Sequence, residues 1–493
     1  MVPAMYQPVA TRYSGLSATA ITPIRVPMSR IERIFHLVTM ITQFGAIVPL
    51  FLYLTGNSNA DTEVGESAPI NTVMMAIILA VSLVLAIRYR DNIIRAAPGM
   101  APVLCFLALA VMSAMWSDYP GITLRRSGTA ITTALWGAYL ASRFSLRDIV
   151  ILISESIGII AVTSLIVAIV FPDFGVNELL SSDPGGIPGW KGMVSDKNSL
   201  GIVMATGAVS MFYLVISPGA SGREKTMWFV GMLLCTFLLY ESQSRTSWVS
   251  AMAGFVTCGV VRAMYRRPGV GIVVLAWVLL LAVPFMFFVV RDLNVLTSLL
   301  GKDGTLTGRV DLWNIVLPYG DEKPWLGYGY GAFWNEASPM TQEIWRQLNS
   351  YKPPHAHNGW IETYLELGLV GCAVVACQLL QMLGNASRAS SQGRDVDAPY
   401  MLLIVVMMLI FNMVEADLIR APALFWPFLI IGPVAMTKIM RTRPRDALAR
   451  PAFATPRSLP LGSRLNQAAP PPLKNARPLP LRPIIRPFPS PSR

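Results

Sequence analysis

Apolar residues in this chain gather into long uncharged runs, at approximately 34–55, 70–87, 98–115, 127–142, 149–171, 199–217, 226–241, 248–263, 271–290, 360–383, 400–414 and 421–440. Each is near the roughly 20 residues that a helix needs to cross the hydrocarbon core of a bilayer, so the pattern predicts about twelve transmembrane helices. No segment alternates polar and apolar residues over about ten positions, as a strand of a membrane β-barrel would. The expected fold is an all-α polytopic membrane protein, residues 34–440. A polar segment, 1–33, precedes it, and a Pro/Arg-rich tail, 441–493, follows.

Composition agrees with this reading. Of 493 residues, 53% are hydrophobic and 14% charged, with a mean hydropathy of +0.51, too apolar for an ordinary soluble domain. The charges between the runs set an orientation. Arg30 and Arg33, then Arg88, Arg90 and Arg95, then Arg143 and Arg147, then Arg262, Arg266 and Arg267, and finally Arg441, Arg443 and Arg445 flank alternate connections, whereas "GNSNADTEVGESAP" after the first run is only acidic. By the positive-inside rule the basic connections and both termini are cytoplasmic. The net charge of +12 is then topology signal plus the tail, read as disordered and near anionic headgroups, and no nucleic-acid partner is implied. Residues 1–33 lack the pattern of a cleaved signal peptide, so the first run is read as an uncleaved anchor. Cys105, Cys235, Cys258, Cys372 and Cys377 fall within the runs and read as packing residues.

Two outward loops are long, about 172–198 and about 291–358, the second lying between helices 9 and 10. Sequence diversity invested on one side marks where the chemistry belongs. In the first loop, Lys191, Lys197 and Asn198 gather before a helix, where an anion is favoured. The hairpin "YESQSRTSWVSA" puts Arg245 on the side where positive charge is disfavoured, so it needs a partner, either Glu241, a lipid phosphate or an anionic substrate group. In the large loop, "GRVDLWNIVLP" reads as an amphipathic helix on the membrane surface with Arg309 at its start, and "PWLGYGYGAFW" alternates glycine with flat rings suited to sugar faces. Arg125 and Arg126 of "TLRRS" are outward, as anion contacts or interface anchors. Glu155 is read as snorkelling towards the cytoplasm, and Glu366 as pairing with an arginine. Glu415 and Asp417 are expected to meet Arg420 or a glycan.

The stretch "YKPPHAHNGWIETYLELGLVG" holds two of the three histidines. Pro353 and Pro354 bar helix before His355, so the helix starts near Asn358 or Gly359, with Asn358 as N-cap and Glu362 complementing the dipole. His357 stands where the positive end of a helix favours the neutral imidazole that a general base requires. His355 and His357 supply two metal ligands where three or four are usual, and His36 belongs to the opposite side, so no metal is expected. No GxSxG turn or outward cysteine suggests a nucleophilic triad.

"HNGWIETYLELGLVG" resembles the signature of the O-antigen ligase and polymerase superfamily, in which His-Asn is followed by GxxG, here Gly368 to Gly371. "WSDYPGITLRRS", "GWKGMVSDKNSLG", "SRTSW", "GRVDLW" and "PWLGYGYGAFW" agree in order, over roughly residues 100 to 430. The likeness is nearest to bacterial exopolysaccharide production polymerases. The resemblance implies glycosyl transfer from a polyprenyl-diphosphate-linked glycan, with no cofactor, on the periplasmic side of the inner membrane. His357, Arg245 and Arg309 would be catalytic, with Lys191, Lys197, Asn198, Arg125, Arg126 and Asn358 binding substrate. Membrane lipids, and chain-length and export proteins of the same pathway, are the implied partners. A ligase of the same family and a transporter are the alternatives; a transporter would show internal repeats, interrupted helices and mid-membrane charge.

Overall fold

The computed structural model describes residues 28–55, 69–177, 188–265, 267, 269–274, 276–277, 304–348 and 352–441. The segment 1–27, the ninth apolar run beyond 277, the first part of the large loop and the tail from 442 lie outside the described residues. The chain divides into two units, Met1–Arg445 and Asp446–Arg493, and every described element belongs to the first.

Among the described residues the main helices are α1 (Arg30–Gln43), α2 (Val48–Leu54), α3 (Pro69–Arg88), α4 (Arg90–Ala96), α5 (Ala101–Met112), α6 (Pro120–Arg143), α7 (Leu146–Val170), α8 (Lys197–Ile216), α9 (Gly222–Glu241), α10 (Arg245–Ala263), α11 (Gly304–Glu322), α12 (Pro339–Gln347), α13 (Gly359–Ser391), α14 (Ala398–Phe411) and α15 (Trp426–Arg441). Two residue pairs, Val176 with Trp190 and Asn177 with Gly189, make a minimal antiparallel ribbon at the two ends of the loop before α8. The protein is thus a helical membrane protein, as the apolar runs predict.

Not every apolar run forms a helix that by length and composition alone could cross a bilayer. Among the described residues, five helical stretches are long and apolar enough to span, Pro69–Arg88, Arg90–Met115, Leu146–Val170, Lys197–Ile216 and Gly359–Ser391. The first run is not one straight helix: α1 and α2 meet at 80°, because Gly45 turns with φ +72° and Pro49 opens α2. α14 is apolar all round and almost wholly buried, as expected of a helix surrounded by others. At 14 residues it is about 21 Å long.

The two ends of α6, 24 residues and so about 36 Å apart, carry different chemistry. Near Arg143 the basic residues meet acidic partners: Arg143 with Glu32 at 3.2 Å, Arg147 with Asp397 at 3.4 Å, and Arg33 with Glu155. Ser29 and Ser145 start α1 and α7 there with capping boxes closed by Glu32 and Asp148. His36 is fully buried and accepts a hydrogen bond from Trp136 Nε1 at 3.0 Å, a packing role. Cys235 and Cys258 are likewise buried, whereas Cys105 and Cys377 are exposed on their helices, contrary to a uniform packing role.

At the other end the large loop is spliced into α13. Gly368 leaves the helix, with φ +63° and ψ −164°, which interrupts the ladder and orphans backbone groups on both sides. Residues 324–329 fill the gap. Leu369 and Val370 donate to the carbonyls of Pro324 (2.8 Å) and Trp325 (3.2 Å), while Tyr328 and Gly329 donate to those of Leu365 and Glu366, each at 2.9 Å. Such contact requires glycine: a Cβ on Gly368 would collide with the Trp325 carbonyl, and one on Gly327 with Glu366.

Candidate active site

α13 begins where the sequence places it. Asn358 caps it through Oδ1, accepting from Trp360 N (2.9 Å) and Ile361 N (3.1 Å), while its amide donates to the Met413 carbonyl at 2.9 Å. Gly359 N donates to the Asn412 carbonyl at 2.8 Å. The histidine segment is thereby laced to the connection between α14 and α15. Asn358 is 1% exposed, with both ends of its amide engaged in this lacing.

The connection delivers Glu415, 5% exposed, to the centre of the site. Its Oε2 lies 3.1 Å from His357 Nδ1. Its Oε1 accepts from Arg309 Nη2 at 2.6 Å and from Asn198 Nδ2 at 2.9 Å. Burial opposes the carboxylate, but Arg309 and then His357 outweigh it and hold the Glu415 carboxyl below its usual range. Glu415 thus has three described partners, from α8, α11 and the histidine loop.

His357 has φ +48°, a left-handed backbone that is costly for a non-glycine residue. Its N–H donates to His355 Nδ1 at 3.1 Å, and the two rings meet edge to face with centroids 4.2 Å apart. Glu362 supports the loop from behind, accepting at Oε2 from Ala356 N (2.7 Å) and Trp334 Nε1 (3.0 Å). Trp313 Nε1 donates to the Ala356 carbonyl at 2.7 Å. Burial, then His357, Arg420 and Arg309, push the His355 imidazole well below its ordinary value. Arg126 and Arg420 are also within electrostatic reach of Glu362 and Glu366, both buried.

Two sequence expectations change here. The apolar face of α11 is not laid on a membrane surface: Leu312, Trp313 and Val316 are buried in a cluster with Phe333, Trp334 and Leu365. The rings of "PWLGYGYGAFW" are mostly interior as well, with Tyr328, Tyr330, Phe333 and Trp334 buried, while Trp325 is 67% exposed. Gly327 and Gly329 serve the splice to α13, both with left-handed φ, whereas Gly331 makes room for Arg126.

Of the predicted site residues, His357, Arg309 and Asn198 are brought together by their hydrogen bonds to Glu415. Arg245 is exposed and opens α10. Its turn packs on the start of α8, since a Cβ on Gly201 would meet Ser244 and Ser247. Lys197 is the first residue of α8, beside Asn198. Lys191 stands 4.5 Å from the Phe174 ring, and burial, opposed by Asp196, lowers its pKa; no contact described joins it to Glu415. Arg125 and Arg126 lie on α6 with Arg126 against Gly331. What sequence reasoning missed is Glu415 as the hub and Arg420 beside the histidines. Their partners lie up to 217 residues away, so no spacing announces them.

A helical membrane protein with a buried carboxylate joining a histidine, an arginine and an asparagine at one end has a built polar site of the kind that handles protons and anions. Residues 230–376 match the family model described as O-antigen ligase, a segment holding Arg245, Arg309 and His357 but not Glu415. The chain is also 26% identical over 369 residues to "Exopolysaccharide production protein ExoQ" of Rhizobium meliloti (strain 1021), covering 72% of this chain and 80% of that protein. The chain is thus similar to O-antigen ligases over residues 230–376 and to an exopolysaccharide production protein over most of its length, and its apolar helices make it a multi-pass membrane protein.

Proposed function

We propose that the protein polymerises polyprenyl-diphosphate-linked oligosaccharide repeat units into exopolysaccharide, at the periplasmic face of a bacterial inner membrane, by metal-independent glycosyl transfer. The observation that carries this reading is the His357–Glu415–Arg309 cluster. With Nδ1–H donated to Glu415, His357 Nε2 is the acceptor that takes the proton from the attacking hydroxyl of the acceptor sugar. That oxygen bonds to the anomeric carbon of the donor as the bond from this carbon to the diphosphate oxygen breaks, with inversion. The lipid diphosphate leaves with the electron pair. Glu415 stabilises the imidazolium formed, as the carboxylate of a catalytic triad does.

The leaving group is already good, so the remaining task is electrostatic. Arg309 presents five donors in a planar fork, of which Nη2 is engaged by Glu415, and suits a diphosphate. Arg245, Lys197 and Lys191 add positive charge from the neighbouring loops in this reading, while Asn198 and Asn358 hold the loops that carry the base. A ligase would use the same chemistry on a different acceptor. The polymerase reading is favoured by likeness to a protein named for exopolysaccharide production. The interruption of α13 is a feature expected of transporters, yet its freed backbone groups bond to the protein's own loop, which leaves none of these four pairs for a transported ion.

The test is incubation of purified protein with a lipid-diphosphate repeat unit in EDTA. A ladder of products supports polymerisation. Transfer to a core lipid selects ligation, and movement across the bilayer without bond formation selects transport.

A further inference from the structure

A second site lies along the flank of the same end. Between α3 and α6 runs a cleft of about 190 Å³ whose lining includes Arg125, Arg126, Gly128, Met75, Leu79 and Pro422. The α6 wall carries the two arginines, and the α3 wall runs from Asn71 and Thr72 at its polar end to the apolar Met75, Ala76 and Leu79. α3 carries Val73, Ile77 and Val84 more than half exposed, so it stands at the perimeter where lipid chains would be its neighbours. Such a cleft complements an anionic headgroup with a hydrocarbon tail, and its volume suits a headgroup and not a glycan.

Resting on the polymerase reading, we propose that this cleft holds the diphosphate and first isoprene units of the acceptor's lipid carrier, while the donor's diphosphate is held at Arg309. Two diphosphates repel, so a polymerase with two lipid-linked substrates needs separated cationic sites. The separation is bounded by the chain itself. Ala421 and Pro422 wall the cleft, and Pro422 is only seven positions beyond Glu415, at most about 25 Å of extended chain. Between them in the chain is Arg420, within electrostatic reach of His355 and of Glu362. An oligosaccharide anchored by its headgroup in the cleft thus lies along a cationic path to the imidazole. Arg126 is fixed for this role by Gly331, whose φ of +69° and missing Cβ admit the arginine side chain.

The experiment titrates farnesyl diphosphate into full-length protein in phosphatidylcholine nanodiscs and reads stoichiometry by calorimetry. Two sites are expected. Arg125→Gln should weaken one by about tenfold or more, the size of one charge-assisted hydrogen bond, and leave the other. Gly128→Phe should do the same by filling the cleft, since a Cβ there meets nothing within 4 Å. Arg309→Ala should remove the other site. Wild-type titration by both cleft variants overturns the proposal. So does displacement by added phosphatidylglycerol, which would make the cleft a general phospholipid site, or equal binding of inorganic pyrophosphate, which would leave the apolar part of the α3 wall without a role. If two sites titrate as described but no glycan ladder forms, the polymerase reading fails while the diphosphate subsite stands.

Discussion

Glu415 Oε2 lies 3.1 Å from His357 Nδ1 while the other oxygen of the same carboxylate holds Arg309. One buried anion therefore orients the base and neutralises the cation. Glu415→Gln keeps the volume but removes the charge that stabilises an imidazolium, and polymer formation should fall by about a hundred- to ten-thousand-fold. Glu415→Ala should in addition leave the largely buried Arg309 without this partner, lowering stability by about 3 kcal/mol. Ladder assays and thermal unfolding of both variants separate the two effects. If Glu415→Gln polymerises at the wild-type rate, the proposed base does not need its carboxylate.

Gly368 is the hinge of the splice between α13 and the large loop. Gly368→Ala meets two obstacles: φ of +63° and the Trp325 carbonyl within collision range of the new Cβ. Destabilisation should exceed the ~1 kcal/mol of an ordinary strained backbone, because Tyr328, Gly329, Leu369 and Val370 all lose their partners together. The measurable result is a lower unfolding temperature and loss of the aromatic cluster's protection from proteolysis. Gly384→Ala, where a Cβ meets nothing within 4 Å, should be tolerated.

Much of this was legible in the residues. Long apolar runs without barrel-like alternation specify helices, because only a helix then satisfies the backbone in hydrocarbon, and Pro353, Pro354 and Asn358 fixed the start of α13 through local geometry alone. Even so, length did not settle crossings: α14 is short and buried among other helices. "PWLGYGYGAFW" misled for a physical reason. Alternation of glycine and aromatic residues reports small size and flat rings, but not whether the rings face a ligand or the core. Glu415 was visible as a charge and unreadable as a hub, since Asn198, Arg309 and His357 reach it only through the packing of α8, α11 and α13.

His355 gives a pH signature in stability. Its imidazole is held well below the ordinary 6.5 in the folded protein, so below pH 6.5 the unfolded chain binds a proton that the folded chain does not. Stability then rises with pH through this window and falls as the medium is acidified. His355→Asn can keep the hydrogen bond from the His357 N–H, as an Asx side chain accepts from the backbone two residues on. The variant should therefore lose less stability than wild type between pH 6.5 and about 5. Parallel unfolding curves over that range would show that His355 titrates normally.

Metal dependence can be decided on the same cluster. His355, His357 and Glu415 offer three ligand atoms within 4.8 Å of one another, which invites a zinc reading. Against it, Glu415 is already bonded through Oε1 to Arg309 and Asn198, and His355 Nδ1 accepts from the His357 N–H. A dication would also have to sit beside Arg309 and Arg420, whose charges already disfavour a proton on His355. EDTA should leave the rate of polymer formation unchanged, and excess zinc should inhibit by competing with Arg309 for Glu415. Loss of activity in EDTA, restored by stoichiometric zinc, would mean that the ion, and not the imidazole alone, activates the acceptor hydroxyl.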